Sequence, residues 1–211
     1  MKEMKNIQPD FEEWEGTASE IDAAYQKVTC HMIFDVKMLD SDGLFIRKAR
    51  YVASGHNTET PAALTYTSVV SRDLVRIALT LNAFNELDVV ACDIQNAYLT
   101  AQCREKIWTV AGPEFGSDIG KIIIKMDLYG LKSFGTSFRS LLAETLHELN
   151  YVPSKAYPDV YIRLEVRPNG FEYYEYVLCY VDNILSIYHC PDVTMDGIRT
   201  HFTLKDDILA A

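Results

Sequence analysis

The sequence has no apolar run long enough to span a bilayer, and it has no apolar stretch near its start that would act as a secretory signal. Its first residues, Met1 to Lys5, include three charged side chains instead. Internal repeats and low-complexity tracts are also missing. We therefore expect an intracellular soluble protein that does not insert into a membrane.

Cysteine is scarce, and the spacing of the cysteines forms no recognisable motif. The five cysteines are odd in number, widely spaced, and include no Cys-x-x-Cys pair: Cys30, Cys92, Cys103, Cys179 and Cys190. This spacing argues against a disulfide framework and against a zinc site. Reduced and mostly buried thiols are the prediction.

Basic residues are outnumbered, with 20 Lys and Arg against 30 Asp and Glu and a formal charge of −10. Nucleic-acid affinity depends largely on cations at phosphates, so this total argues against such a partner. Much of the acid, however, lies between Asp10 and Asp22, whereas Arg47–Arg50 is locally basic. The total charge therefore does not exclude nucleic acid.

The 211 residues, 48% of them hydrophobic, suffice for one sizeable core or for two small subdomains sharing one. Strand-like runs flank the predicted turn Asp40–Gly43, and further strands are predicted at 87–92, 121–126 and 184–188. An Asn169-Gly170 turn between 160–166 and 171–180 predicts a hairpin. The mixture indicates an α+β fold.

Three helices accompany these strands. Ser71 is a candidate N-cap for a helix whose apolar face includes Leu74, Ala78 and Leu81. A second helix is predicted from about Thr136 to Leu149, and a short third one from about 195 to 202.

Two aspartates follow apolar strands directly. Asp93 comes after Val89–Cys92, and Asp182 comes after Tyr176–Val181. Each alone is compatible with a solvated turn residue that accepts backbone N–H bonds. Brought to one point, the two carboxylates would form a hard-oxygen site suited to Mg²⁺ and to phosphoryl transfer.

Five segments carry a family resemblance. Tyr180–Asn183 is similar to a Tyr-Val-Asp-Asp box, Cys92–Leu99 to a first catalytic motif, and Leu128–Lys132 to a Leu-Tyr-Gly-Leu-Lys element. Lys48–Ala53 and Ala156–Tyr161 add two further matches, and all five segments follow one another along the chain in the order of the family's motifs. Over roughly residues 30 to 207, the chain resembles the reverse transcriptases of copia-type retrotransposons.

The resemblance implies a right-hand fold of class α+β, in which helices pack on the antiparallel sheet of a palm and fingers adjoin it. The expected organisation is an acidic N-terminal extension at 1–28, fingers at 29–88 and 105–132, and palm at 89–104 and 133–211. It also implies two Mg²⁺ ions, with Mn²⁺ as an alternative. The expected ligands are the carboxylates of Asp93 and Asp182 and the carbonyl of Ile94.

The remaining roles follow from the same resemblance. Lys48 and Arg50 would bind the triphosphate, or would simply form a solvated basic strand. Tyr98 would disfavour a 2′-hydroxyl as a steric gate, or would be a core aromatic. Further expected contacts are to the nucleotide by Ala97, Tyr129 and Gly130, and to template and primer by Lys132, with Arg139 as a substitute for a family arginine that this chain lacks.

The chain departs from the family pattern in three places. Asn183 stands where the family has a second catalytic Asp, so one negative charge is missing. Ser133–Thr136 replaces a Gln-Ala-Pro-Arg segment. The sequence also ends at Ala211, from which we expect a truncated copy without a thumb or RNase H domain.

The expected function is that of an RNA-directed DNA polymerase whose activity is reduced or lost. A non-catalytic nucleic-acid-binding or interaction module is the alternative, and a fragment without biochemical role is a third. Expected partners are RNA or DNA template-primer, dNTP, and the integrase and RNase H domains of a polyprotein. The family implies location in cytoplasmic virus-like particles or in the nucleus.

Overall fold

Strands and helices are interspersed along the whole chain. The computed structural model describes residues 4–5, 11–39, 44–58, 69–101, 105–124, 128–189, 191–205 and 208–209. The strands are β1 (Phe11–Trp14), β2 (Gln26–Lys27), β3 (Cys30–Leu39), β4 (Leu44–Ala53), β5 (Asp88–Asp93), β6 (Ile107–Val110), β7 (Lys121–Ile124), β8 (Val152–Pro153), β9 (Val160–Val166), β10 (Glu172–Tyr180), β11 (Asn183–Tyr188) and β12 (Ile208–Leu209). The main helices are α1 (Arg72–Asn85), α2 (Phe134–Glu148) and α3 (Pro191–His201). This content confirms the predicted α+β class.

The chain divides into two compact units. Unit 1 comprises Met1–Thr65 with Tyr98–Phe138, and unit 2 comprises Tyr66–Ala97 with Arg139–Ala211. Each unit is therefore built from two separate stretches of sequence.

Unit 1 contains two sheets. One has the strand order β1-β7-β6-β2, so the acidic N-terminal stretch contributes its two outer strands. The other is the antiparallel pair β3-β4, in register from Cys30↔Ala53 to Leu39↔Leu44. The turn predicted at 40–43 lies outside the described residues. Three aromatic rings meet edge to face at 5.5–6.1 Å in the core of this unit: Phe11, Tyr51 and Phe115.

Unit 2 is organised around a six-stranded sheet of order β12-β5-β11-β10-β9-β8. Because side chains alternate along a strand, the sheet has two distinct faces. Leu178, Leu185 and Val89 lie on one face and pack with Ala78 of α1. Glu175, on the opposite face, is linked by hydrogen bonds to Tyr151 and, through it, to Thr194 of α3. The central strands are thus covered on both sides.

α1 begins directly after its predicted cap and α2 lies within two residues of its predicted bounds, whereas α3 begins at Pro191, four residues before the predicted start. Ser71 caps α1, since its Oγ accepts from the backbone N–H of Leu74 across 3.3 Å. The predicted apolar face of α1 is only partly covered, because Ala78 is buried whereas Leu81 is 36% exposed. After α2, Asn150 adopts a left-handed φ of 64°, as suits the residue that ends a helix.

The predicted hairpin around Gly170 is confirmed, with β9 and β10 paired antiparallel from Val166↔Glu172 onward. The thiols of Cys92 and Cys179 are buried and Cys30 is partly buried, and all three are free. Cys103 and Cys190 lie outside the described residues. Within the described ranges, no helix is both long and apolar enough to cross a membrane.

Candidate active site

The two predicted metal-site aspartates lie at the same end of neighbouring strands in unit 2. Asp93 is the last residue of β5, and it pairs in register with Asn183, the first residue of β11. Asp182 precedes Asn183 in the turn that joins β10 to β11. Its backbone carbonyl accepts from the N–H of Ile94 across 2.8 Å. The sheet therefore brings together two segments that are 89 positions apart in sequence, as the difference between 182 and 93 gives.

The turn itself is tight. Only Val181 and Asp182 separate Tyr180 from its pairing partner Asn183. Val181 has a φ of 58°, in the left-handed region that a β-branched residue rarely adopts. Turns of two residues between antiparallel strands require such a positive φ, which explains the conformation. The cost is local strain directly beside the candidate carboxylates.

Each carboxylate already accepts a hydrogen bond from the protein. The Nζ of Lys205 contacts Oδ1 of Asp93 in an ion pair whose side chains are 54% and 36% exposed. The Nδ2 of Asn183 donates to Oδ1 of Asp182 across 3.1 Å. Lys205 was not predicted as a site residue, because its partner lies 112 positions away and no local pattern connects them.

The donor set can be compared with what a divalent cation requires. Two carboxylates and one side-chain amide oxygen are hard-oxygen ligands of the type that Mg²⁺ prefers. Within the described part of the chain, no cluster of three or more His, Cys, Asp or Glu side chains is positioned to hold a metal. The residues present fit Mg²⁺ in chemistry, and the departure from a three-carboxylate set is Asn183.

A cavity of about 280 Å³ opens beside these residues in unit 2. Asp93, Asn183 and Tyr180 contribute to its wall, and the rest is mostly apolar, including Val70 just before α1 and Val75 within it. Burial raises the pKa of the Cys92 thiol, which also lines this cavity, to about 11. Cys92 is therefore a neutral wall residue at physiological pH.

Two motifs of unit 1 lie side by side. Val52 of β4 forms a bridge with Tyr129, and the N–H of Ala53 donates to the Tyr129 carbonyl across 2.7 Å. The guanidinium of Arg50 lies 5.9 Å from the centroid of the Tyr129 ring. Lys48, Arg50, Tyr129 and Gly130 thus come from two adjoining segments.

Three other predicted contact residues are hydrogen-bonded, ion-paired or buried within the protein. The Nζ of Lys132 donates to the carbonyl of Thr58. The guanidinium of Arg139 pairs with Asp159 at 2.6 Å, where the Asp159 side chain is only 8% exposed. Ala97 is buried, and Tyr98 lies in a single helical turn (Ala97–Thr100), although its side chain is outside the described part. The steric-gate role of Tyr98 stays a prediction.

Comparison with known protein families shows which family the chain belongs to. The family model described as reverse transcriptase (RNA-dependent DNA polymerase) matches residues 22–206. The chain belongs to this family. The match is to the copia-type reverse transcriptases, so the resemblance found from the five motifs is confirmed. A search among curated proteins found no match to the chain.

Proposed function

We propose that the chain is an RNA-directed DNA polymerase domain of a copia-like retrotransposon whose nucleotidyl transfer is impaired. The observation that carries this proposal is the register of β5 and β11, which sets Asp93 opposite Asn183 and next to the Asp182 turn. Family membership supports a polymerase of reverse transcriptase type, with template, primer and dNTP as partners in general.

Asp93 and Asp182, together with the carbonyl of Ile94, would hold the metal ions. Mg²⁺ supplies charge neutralisation at the phosphates and activation of the primer 3′-hydroxyl when bound. Asn183 contributes an amide in place of a carboxylate, and its Nδ2 is directed at Asp182. The amide therefore donates to a carboxylate where the family pattern would add charge for a cation, which accounts for the proposed impairment.

We further propose that unit 1 includes the fingers and unit 2 the palm. In unit 1, Lys48 and Arg50 would supply cationic donors to the triphosphate, since point charges and guanidinium forks suit phosphate oxygens. Further contacts would come from Ala97, Tyr98, Tyr129 and Gly130 to the nucleotide, and from Lys132 and Arg139 to template and primer. Arg139 would have to serve this role while paired with Asp159.

Primer extension tests the proposal. The chain, Asn183→Asp and Asp93→Asn are compared on one primer-template with dNTPs and Mg²⁺. Weak or absent synthesis by the chain is expected, with a gain of about 100-fold in Asn183→Asp, the scale on which one charge-stabilising group acts. The double variant Asn183→Asp with Asp93→Asn serves as the matched control and should lose that gain. Near-normal synthesis by the unaltered chain contradicts the impairment, and synthesis that survives Asp93→Asn contradicts the site.

A second function is favoured by one observation. Both carboxylates already accept protein donors, Lys205 at Asp93 and Asn183 at Asp182, an arrangement compatible with a non-catalytic module that binds nucleic acid. Binding assays separate the two functions. Nucleotide binding that requires Mg²⁺ supports the polymerase, whereas RNA or DNA binding that requires neither Mg²⁺ nor nucleotide supports the module.

A further inference from the structure

The backbone around Lys205 is held against the end of β5. The N–H of Lys205 donates to the carbonyl of Asp93 across 2.9 Å, and the N–H of Gln95 donates to the carbonyl of Thr203 across 2.8 Å. Between these two bonds, Ile94 and Leu204 form an antiparallel bridge. The segment 203–205 is therefore paired with 93–95. This pairing fixes the position of the Lys205 backbone beside the carboxylate that its ammonium contacts.

We propose that Lys205 is a built-in counter-ion of the candidate metal site and that a divalent cation must displace its ammonium from Asp93. This inference rests on the proposed function, because it assigns Asp93 to cation binding. It adds a residue that none of the sequence motifs includes, and it names what that residue controls, which is the affinity of the site for the ion.

The charges of the site support the competition. Asp93 and Asp182 carry two negative charges, the Lys205 ammonium compensates one of them, and Asn183 adds none. An ammonium and a divalent cation held by the same carboxylate repel each other, so both cannot be bound at full strength. Since the Lys205 side chain is 54% exposed, the ammonium can turn into water without leaving an uncompensated buried charge. The ammonium thus lies where a cation would bind, in a contact open enough to be broken.

Direct titration with MnCl₂, followed by calorimetry and by the electron paramagnetic resonance of free Mn²⁺, tests this role without reference to polymerisation. Lys205→Gln removes the ammonium, and Lys205→Arg retains a cation. Lys155→Gln is the matched control, because it removes one exposed positive charge next to β8, at the other edge of the sheet from β5 and β12. Circular dichroism verifies that each variant is folded.

We expect Lys205→Gln to bind Mn²⁺ about three- to fivefold more tightly than the unaltered chain, a modest gain because the ion pair is partly solvated. Lys205→Arg and Lys155→Gln should bind as the unaltered chain does. Equal or weaker binding by Lys205→Gln overturns the inference. If Asp93→Asn abolishes Mn²⁺ binding while Lys205→Gln changes nothing, the inference fails and the metal site stands. If neither the chain nor Lys205→Gln binds Mn²⁺, both fail.

A second measurement uses the unaltered chain alone. Acylation of Lys205 by an amine-reactive reagent is followed by mass spectrometry with and without MnCl₂, and acylation of Lys155 provides the internal reference. Displacement of the ammonium predicts that Mn²⁺ raises the extent of modification at Lys205 relative to Lys155. An unchanged ratio at saturating Mn²⁺ contradicts displacement.

Discussion

The guanidinium of Arg163 donates to Oε2 of Glu175 across 2.6 Å, between directly paired positions of β9 and β10. The same guanidinium reaches the carbonyl of Leu149 at 3.0 Å and the hydroxyl of Thr194 at 3.2 Å. With side-chain exposures of 15% and 4%, this is a buried ion pair. It joins the sheet of unit 2 to the residue that follows α2 and to α3.

Loss of one partner of this pair should be costly. Glu175→Leu leaves Arg163 only the more exposed carboxylate of Glu165, 2.9 Å from its Nε, and removes the acceptor of the Tyr151 and Tyr173 hydroxyls. We expect the free energy of unfolding to fall by about 3 kcal/mol in urea titrations. Asp73→Asn is the control, because it breaks an ion pair with Arg76 whose side chains are 82% and 66% exposed, and it should change stability by less than about 0.5 kcal/mol. Adding Arg163→Met to Glu175→Leu should restore part of the loss. Equal effects of Glu175→Leu and Asp73→Asn would show that the buried pair is not structural.

A buried thiol gives the stability a dependence on alkaline pH. Burial raises the pKa of Cys179 from 9.0 to about 12, so above pH 9 the unfolded chain loses this proton while the folded chain keeps it. This thiol therefore leaves the free energy of unfolding unchanged below pH 9, and it lowers that free energy as the pH rises from 9 toward 12. One such thiol contributes a slope of up to about 1.4 kcal/mol per pH unit.

Urea unfolding at pH 8, 9 and 10 measures that slope. Cys179→Ala should be less stable at every pH because a buried side chain is truncated, yet its stability should fall less steeply between pH 9 and 10. Parallel pH profiles for Cys179→Ala and the unaltered chain would mean that the thiol does not titrate differently on folding.

The turn between β10 and β11 offers a stabilising substitution. Val181 has a φ of 58°, and a left-handed conformation costs a residue with a β-carbon about 1–2 kcal/mol. Asn tolerates this conformation better, so Val181→Asn should raise the free energy of unfolding by roughly 1 kcal/mol. Val152→Asn is the control, since Val152 is similarly exposed but lies in a strand, where Asn is disfavoured. A loss of stability in Val181→Asn as large as in Val152→Asn would exclude strain at this turn.

The elements that the sequence predicted best are those with strong local signals. The hairpin at Gly170 has an Asn-Gly turn, and α1 has a Ser cap, so both could be placed from neighbouring residues alone. The short strands β1, β2 and β8 carry no comparable pattern. β2, for example, is two residues long and pairs in parallel with β6, more than 80 positions later, so its partner is set by tertiary packing.

The residues of the candidate site were likewise predictable only where the local sequence carries a motif. Asp93 and Asp182 were found because each ends an apolar strand within a motif. Lys205 was missed because an ion pair across 112 positions leaves no mark on the local sequence. Conversely, Arg139 was expected at the template as a substitute for the arginine missing from Ser133–Thr136, and its pairing with the buried Asp159 depends on the fold of unit 2.

Gly130 lies where the chain has no room for a side chain. It has a φ of 96°, and an added Cβ would lie 2.1 Å from the carbonyl oxygen of Ala53. An added Cβ at Gly55 would in turn lie 2.3 Å from the carbonyl oxygen of Gly130. The obstructing atoms belong to the backbone, so they cannot move aside as a flexible side chain could. The two motifs that contain Lys48 and Tyr129 can therefore adjoin only because both positions are glycine.

We expect Gly130→Ala to lower the free energy of unfolding by roughly 4 kcal/mol, because overlap with backbone adds to left-handed strain. Gly170→Ala is the matched control, with a φ of 84° and no atom within 4 Å of the added Cβ, so it carries the backbone strain alone. Urea unfolding of both variants measures the difference, and equal losses would remove the steric argument. Because nucleotide contact was also predicted for Gly130, weaker nucleotide binding by Gly130→Ala reports first on the packing of unit 1. A direct role at the nucleotide requires a binding defect in a variant whose stability is unchanged.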